Sequence, residues 1–171
     1  MSPPLFGVVG WKNSGKTTLM TRLIAELARR GYAVSVVKHA HEAFEIDHPG
    51  RDSFKMREAG AAEVAISSPR RFALMRELGE APELPFAEVL AYLGRCDLVL
   101  VEGFKREDFP KIEIRKEGAT SRKPLRGEFP GVVAIASDRP DTETEKLPVF
   151  YLDDIASMAD FIESHLGLKR P

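Results

Sequence analysis

The chain has 171 residues, of which 43% are hydrophobic and 30% are charged, and its formal net charge at pH 7 is −1. This length predicts one domain over residues 1–171, and the near-zero charge argues against nucleic acid or an anionic membrane as a partner. Cys96 is the only cysteine, which excludes an internal disulfide and a four-cysteine zinc site. We expect neither a secretory signal nor a membrane span, which needs ~20 apolar residues, and hence a cytoplasmic protein.

The first 38 residues combine strand and helix patterns. Residues 5–9 are short, apolar and partly β-branched, as in a buried strand. Apolar residues at helical spacing from 19 to 27 predict a helix, and Gly31 is placed to end it. Residues 33–38 predict a second buried strand. The order strand, loop, helix, strand indicates a βαβ unit.

The later chain repeats this alternation. Strands are predicted at 63–67, 98–101 and 132–137, and helices at 51–60, 86–93 and 155–166. The alternating residues 111–116 favour an edge strand that could pair between two copies of the chain, and residues 71–78 fit no single element. We therefore predict an α/β fold with a mostly parallel sheet flanked by helices, and with antiparallel strands as an option at its edge.

The loop between the first strand and the first helix reads GWKNSGKTT over residues 10–18. Its spacing, a glycine, four residues and then Gly-Lys-Thr, is that of the phosphate-binding loop, or P-loop. Small residues let backbone N–H groups approach a polyphosphate, and the following helix presents its positive end. Lys16 would neutralise the β- and γ-phosphates, and the Thr17 hydroxyl would ligate Mg²⁺. The pattern predicts the three-layer P-loop NTPase fold. The predicted nucleotide-binding residues are Gly10, Lys12, Asn13, Ser14, Gly15, Lys16, Thr17 and Thr18, although Lys12 could equally be a solvated loop lysine.

A magnesium nucleotide needs an acidic group near the metal, and the run DLVLVEG offers Asp97 and Glu102. Ligands bind at the carboxyl ends of strands in such sheets. Asp97 starts this strand and Glu102 ends it, about 16 Å away at ~3.3 Å per residue. Glu102 is therefore predicted to hold Mg²⁺ or to orient the attacking water, with Lys16 as the other catalytic residue; a solvated turn is the alternative.

The segment after the second strand, residues 39–52, is rich in histidine and aspartate. It leaves the sheet on the predicted phosphate side, so Asp47 is a candidate for the metal site and the segment for a nucleotide-sensing switch. His39, His41 and His48 could form a transition-metal site, but polar loop histidines are the commoner explanation of such irregular spacing.

Asp138 follows the strand at 132–137. A carboxylate there could accept two hydrogen bonds from guanine and favour GTP over ATP, or it could be a turn residue. Lys105, Arg106, Arg115 and Arg122 follow the Glu102 strand, where they either meet an anionic ligand or form a solvated face.

Three blocks of the sequence, GWKNSGKTTL, VVKHAHEAFEIDHPGRDSFKMREAGA and DLVLVEGFKREDFPKIEI, together resemble the molybdopterin-guanine dinucleotide biosynthesis protein B (MobB) family. The resemblance implies a P-loop GTP-binding homodimer with weak Mg²⁺-dependent GTPase activity. It implies an accessory role beside the guanylyltransferase MobA, which attaches GMP to molybdopterin. Carried over by position, it assigns Gly10 and residues 12–18 to the phosphate loop and residues 97–103 to the second nucleotide motif, and it places Asp47 in the histidine-containing block.

Two other functions remain open on the sequence. A metal-delivery GTPase of the nickel-insertion type has the same loop but would want Cys and His pairs near it, whereas Cys96 lies at the far end of the Glu102 strand. A small-molecule P-loop kinase would need an acceptor pocket and a lid carrying arginines, for which Arg70, Arg71 and Arg76 are candidates.

Overall fold

The computed structural model describes residues 3–40, 44–140 and 146–170. The chain forms two compact units, a larger one from Met1–His39 and Val89–Pro171 and a smaller one from Ala40–Glu88. Compactness alone does not define a functional domain, so the single nucleotide-binding domain over residues 1–171 stays a prediction.

The larger unit contains a six-stranded sheet in which every pairing is parallel. Numbered in chain order through both units, its strands are β1 Leu5–Gly10, β2 Val34–Lys38, β5 Leu98–Glu102, β6 Lys111–Arg115, β7 Val132–Ser137 and β8 Val149–Tyr151. Their order across the sheet is β2-β5-β1-β6-β7-β8. The central position of β1 places the loop that follows it between the ends of β5 on one side and of β6 and β7 on the other. This confirms the predicted α/β fold with a mostly parallel sheet.

Two helices of the larger unit, α1 Lys16–Arg29 and α4 Ile155–Leu166, pack on one face of this sheet. Their apolar positions recur at helical spacing, so each helix buries one stripe against the strands. The buried helix residues are Leu19, Met20, Leu23, Leu27, Met158, Ala159 and Ile162. Arg30 joins the two helices, because its guanidinium pairs with Glu26 of α1 and with Asp160 and Glu163 of α4. The Asp154 side chain begins α4 by accepting a hydrogen bond from the Ser157 N–H, 3.1 Å away.

The prediction that residues 111–116 form an edge strand is wrong. Strand β6 lies inside the sheet, between β1 and β7, and all five of its residues are buried. Charged and apolar residues do alternate along β6, but the charged side chains form hydrogen bonds with other protein groups rather than with solvent. Glu113 accepts hydrogen bonds from the Arg115 guanidinium and, 2.9 Å away, from the Leu125 N–H. An interior strand has no free edge, so this one cannot pair between two copies of the chain.

The smaller unit contains helix α2, Asp52–Glu58, and an antiparallel pair, β3 Glu63–Ser68 with β4 Arg71–Arg76. Residues 71–78, which fitted no single element, thus include a strand. Antiparallel strands were predicted as an option at the edge of the main sheet. The antiparallel pair instead forms a separate two-stranded sheet. Helix α3, Phe86–Ala91, spans the boundary between the two units in sequence.

Strand β8 was not predicted, since three residues are too few to show an alternating pattern.

No helix in the described parts of the chain is long and apolar enough to span a bilayer.

Candidate functional site

The loop between β1 and α1 has the backbone of an anion-binding concavity. Asn13 has φ of 64° and Gly15 has φ of 87°, so left-handed residues alternate with ordinary ones and turn successive N–H groups inward. Gly10 is required by space, because a Cβ atom there would lie 2.4 Å from the Ser14 Oγ. Among the described residues, no side chain caps the start of α1 at Gly15. The first-turn N–H groups of α1 are therefore left for a ligand.

Lys16 is folded back over this loop. Its ammonium nitrogen lies 2.8 Å from the carbonyl oxygen of Trp11 and donates a hydrogen bond to it. Partial burial lowers the pKa of Lys16, Glu102 opposes this shift, and the nearby charges of Lys105 and Lys38 add to it. Lys16 therefore lies near two other lysines and one carboxylate, and this excess of positive charge suits a polyanion.

Thr17 and Glu102 meet at the start of α1. The Thr17 Oγ1 lies 3.2 Å from one carboxylate oxygen of Glu102 and 3.4 Å from the other. Glu102 is 7% exposed, and the Lys38 Nζ lies 3.5 Å from its Oε1. A hydroxyl beside a carboxylate is the set of hard oxygen donors that Mg²⁺ prefers, so these two residues fit the ion.

Asp138, at the end of β7, is already hydrogen-bonded in the larger unit. Its Oδ2 accepts from the Glu117 N–H at 2.6 Å, and its Oδ1 accepts from the Arg122 guanidinium at 3.0 Å. Burial alone would raise the pKa of Asp138, but these hydrogen bonds and the charge of Arg122 outweigh burial and lower it. The carboxylate is therefore charged at neutral pH, and a base would have to share it with Arg122.

A cavity of about 300 Å³ opens beside the phosphate loop. It is bordered by Ser14, Gly15 and Thr18 on the loop and α1, by Asp138 after β7, and by Tyr151 at the end of β8. Its size and its place beside an anion-binding loop suit the nucleoside part of a nucleotide.

Two further predicted site residues, Lys12 and Asp47, form hydrogen bonds with residues other than Lys16, Thr17 and Glu102. The Lys12 side chain is exposed, and its carbonyl oxygen accepts a hydrogen bond from the Thr120 N–H at 2.9 Å. Asp47 belongs to the smaller unit, where its carboxylate accepts from Ser53 at 2.9 Å and from Arg57 at 3.3 Å. Burial opposes the shift, but these bonds lower the pKa of Asp47. Its role as a metal ligand stays a prediction.

The histidine hypothesis gains no support from the described residues. His41 lies outside them, and within them no group of three His, Cys, Asp or Glu side chains is placed to hold a metal ion. The ring of His39 packs on that of Phe104, with 4.7 Å between ring centroids. The backbone N–H of His39 donates a hydrogen bond to the backbone carbonyl of Glu102. His39 therefore supports the backbone around Glu102.

Sequence reasoning missed the second anchor of the phosphate loop. The Trp11 indole N–H donates to the carbonyl of Lys123, 2.7 Å away, across 112 residues of chain. The Lys105 ammonium lies over the Trp11 ring at 4.8 Å from its centroid. The only hint in the sequence was a bulky tryptophan in a loop that otherwise favours small residues.

Comparisons with known proteins find similarity over most of the chain, well beyond the phosphate loop. Residues 5–138 match the family MobB, molybdopterin guanine dinucleotide synthesis protein B. The chain is 39% identical to the molybdopterin-guanine dinucleotide biosynthesis adapter protein of Haemophilus influenzae, over 95% of this chain and 89% of that protein. It is 38% identical to the Escherichia coli protein of the same name, over 93% and 91%. A crystal structure of a MobB protein homolog from Bacillus stearothermophilus is 28% identical and aligns with a TM-score of 0.70, covering 95% of this chain and 97% of that one.

Proposed function

Since this chain belongs to the MobB family, we propose that it is an adapter protein of molybdopterin-guanine dinucleotide biosynthesis that binds GTP together with Mg²⁺. Its expected activity is slow hydrolysis of that GTP. The role proposed is accessory: the protein presents or senses a guanine nucleotide for the enzyme that joins GMP to molybdopterin.

The approach of Thr17 to Glu102 carries the nucleotide proposal most directly. A hydroxyl at the start of α1 and a carboxylate at the end of a neighbouring strand supply oxygen ligands for Mg²⁺, and Lys16 nearby supplies a positive charge for the β- and γ-phosphates. When bound, Mg²⁺ would neutralise charge on those phosphates. The loop N–H groups from Asn13 to Thr17 would hold the phosphate oxygens, and Thr18 would border the nucleoside.

The choice of guanine rests on Asp138. Its carboxylate is ionised and borders the cavity beside the phosphate loop, so it can accept hydrogen bonds from N–H groups on a base. Guanine offers two adjacent N–H donors on one edge, whereas adenine presents an acceptor there. The preference is expected to be moderate, because Arg122 and the Glu117 N–H already occupy the carboxylate.

Hydrolysis is proposed to be slow for a reason that lies in Glu102. The Glu102 carboxylate already accepts a hydrogen bond from Thr17 and pairs with Lys38, so little of it is left to orient an attacking water. Lys16 would stabilise the charge that develops on the transferred phosphate. Slow turnover suits a protein whose bound nucleotide is a signal or a cargo.

The proposed partners are those that the resemblance to the MobB family implies. We expect a molybdopterin guanylyltransferase of the MobA type, with molybdopterin as its second substrate, and a homodimer of this chain in the cytoplasm. Co-purification of the two proteins, with and without GTP and Mg²⁺, tests the first. Sedimentation equilibrium of the isolated chain tests the second, and a monomer at micromolar concentration would refute the homodimer.

Calorimetric titration with GTP and with ATP, each with and without Mg²⁺, tests the nucleotide proposal. We expect binding of GTP that tightens with Mg²⁺ and exceeds that of ATP. Stronger binding of ATP would refute the guanine assignment and favour a small-molecule kinase. Tight binding of Ni²⁺ in a parallel titration would favour the metal-delivery GTPase.

A further inference from the structure

Lys105 is a half-buried lysine that stands over the phosphate loop. Its ammonium nitrogen lies 4.8 Å from the ring centroid of Trp11 and 5.8 Å from that of Phe129. Both rings offer their electron-rich faces, which hold a cation in place without neutralising it. Trp11 is itself fixed, because its indole N–H donates to the Lys123 carbonyl. The lysine therefore has a defined position directly above the first residues of the loop.

The backbone before Lys105 is shaped to bring it there. Gly103 has φ of 91° and Phe104 has φ of 47°, so two consecutive residues after β5 are in the left-handed region. Gly103 has no alternative, because a Cβ atom there would lie 2.9 Å from the His39 Cβ. Phe104 is not a glycine and adopts this conformation at a cost, which its ring partly offsets by packing on His39.

Within the described residues, the negative charges that act on Lys105, those of Glu128 and Glu113, form no ion pair with it. Among residues 3–40, 44–140 and 146–170, no carboxylate oxygen lies within 4.0 Å of its ammonium nitrogen. Two other lysines, by contrast, have close oxygen partners. Lys111 also lies on a phenylalanine ring, but it donates to the carbonyl oxygens of Phe109 and Pro130, each 3.0 Å away. Lys38 lies beside Glu102. Glu128, an acid near Lys105, pairs with Lys123 at 3.2 Å.

The sheet order and the charge of Lys16 indicate which part of a nucleotide would reach Lys105. The cavity proposed for the nucleoside lies at the ends of β7 and β8, on one side of β1. Lys105 lies in the segment that joins β5 to β6, the two neighbours of β1, and its charge is close enough to Lys16 to lower the pKa of that lysine. A nucleotide that starts in the cavity and crosses Lys16 would therefore bring its terminal phosphate close to Lys105.

We infer that Lys105 is a second phosphate-binding lysine, which contacts the terminal phosphate of a bound nucleoside triphosphate and so distinguishes GTP from GDP. This inference rests on the proposed function, since it requires a nucleotide in the phosphate loop. The polyanion would supply the direct ion pair that Glu128 and Glu113 do not form with Lys105. The ammonium leaves the face of Trp11, or shifts on it, as the terminal phosphate binds.

The test compares the affinities of GTP and GDP, with Mg²⁺ in excess, in wild type and in three variants. Lys105→Ala is expected to weaken GTP about ten-fold or more while GDP changes by less than about two-fold, as expected for a charge-assisted contact to the γ-phosphate. Lys105→Arg keeps the charge and should recover most of the GTP affinity. Arg106→Ala removes an exposed charge from the next residue and should leave both affinities unchanged. Thermal melting of each variant identifies any loss of folding.

Trp11 is the only tryptophan in the chain and gives an independent readout. Its emission should change more with GTP than with GDP, and that difference should disappear in Lys105→Ala but persist in Lys105→Arg. Equal losses of GTP and GDP affinity, or no loss, would overturn the inference while the proposed function stands. Absence of any nucleotide binding by wild type would overturn both.

Discussion

The hydroxyl oxygen of Thr17 lies 3.2 Å from a carboxylate oxygen of Glu102, although 85 residues separate them in sequence. The pair exists because β5 is the neighbour of β1, with Val8 in register with Glu102, and because α1 begins just beyond the end of β1. The pair brings the phosphate loop and the end of β5, the two parts of the candidate nucleotide site, into contact.

Replacing Lys16 with alanine should reduce GTP affinity at least about 100-fold, because the loop loses the lysine proposed to neutralise the β- and γ-phosphates. Calorimetry with GTP and Mg²⁺ measures the effect. Lys55→Ala is the matched control, since Lys55 is exposed on α2 of the smaller unit and its ion pair with Asp52 is a weak surface contact. Similar GTP affinities for wild type and Lys16→Ala would show that the phosphate loop does not bind the nucleotide.

Glu102→Gln should remove most of the stimulation of GTP binding by Mg²⁺ and lower the rate of hydrolysis by roughly 100-fold. The amide keeps the size of the side chain but loses the charge that a divalent cation needs. Phosphate release from GTP at several Mg²⁺ concentrations measures both effects. The control is Glu107→Gln, which removes an exposed charge from the loop after β5. A Glu102→Gln protein with the Mg²⁺ dependence of wild type would exclude Glu102 from the metal site.

Two changes around Asp138 should act in opposite directions. Asp138→Asn is expected to lower the ratio of GTP to ATP affinity about ten-fold, because the amide offers one acceptor instead of two. Arg122→Ala is expected to raise GTP affinity, because the guanidinium no longer competes for the Asp138 carboxylate. Competition titrations with both nucleotides measure the ratio. If neither variant alters it, base selection lies elsewhere.

Acid should destabilise the protein partly through Glu26. Hydrogen bonds from the Arg29 and Arg30 side chains lower the pKa of Glu26 to about 2, from an ordinary value of 4.5. A carboxylate whose pKa is lower in the folded state contributes stability above pH 4.5, and that contribution is lost as the pH falls toward 2. Melting temperatures of wild type and Glu26→Gln should therefore differ at pH 7 and converge near pH 2. Glu80→Gln, an exposed loop change, is the control, and a gap that stays constant with pH would contradict the assignment.

The sequence predicted those parts of the site that depend on local pattern. The strand, glycine-rich loop and amphipathic helix from residue 5 to 29 are consecutive, so spacing alone identified the phosphate loop. Glu102 could be placed at the correct end of its strand because parallel strands carry their ligands at the carboxyl ends. Trp11 and Lys105 could not be paired, since their contact depends on two left-handed residues at 103 and 104 that no pattern requires.

The error at β6 has a physical cause. Alternating charged and apolar residues usually mean that one face of a strand meets water, and 111–116 were interpreted in that way. Here Leu125 closes over that face and gives its N–H to Glu113, so the charged row is buried in the middle of the sheet. The covering segment is irregular, and nothing in its sequence indicates which strand it packs on.

That buried row constrains how the strand can evolve. Replacing Glu113 with a leucine would remove one carboxylate that Arg115 bonds to and the acceptor for the Leu125 N–H. Each loss leaves a polar group away from water, which is costly. Viable change at Glu113 must therefore keep a side-chain oxygen that can accept from the Leu125 N–H, so we expect substitutions by other acceptors rather than by apolar residues.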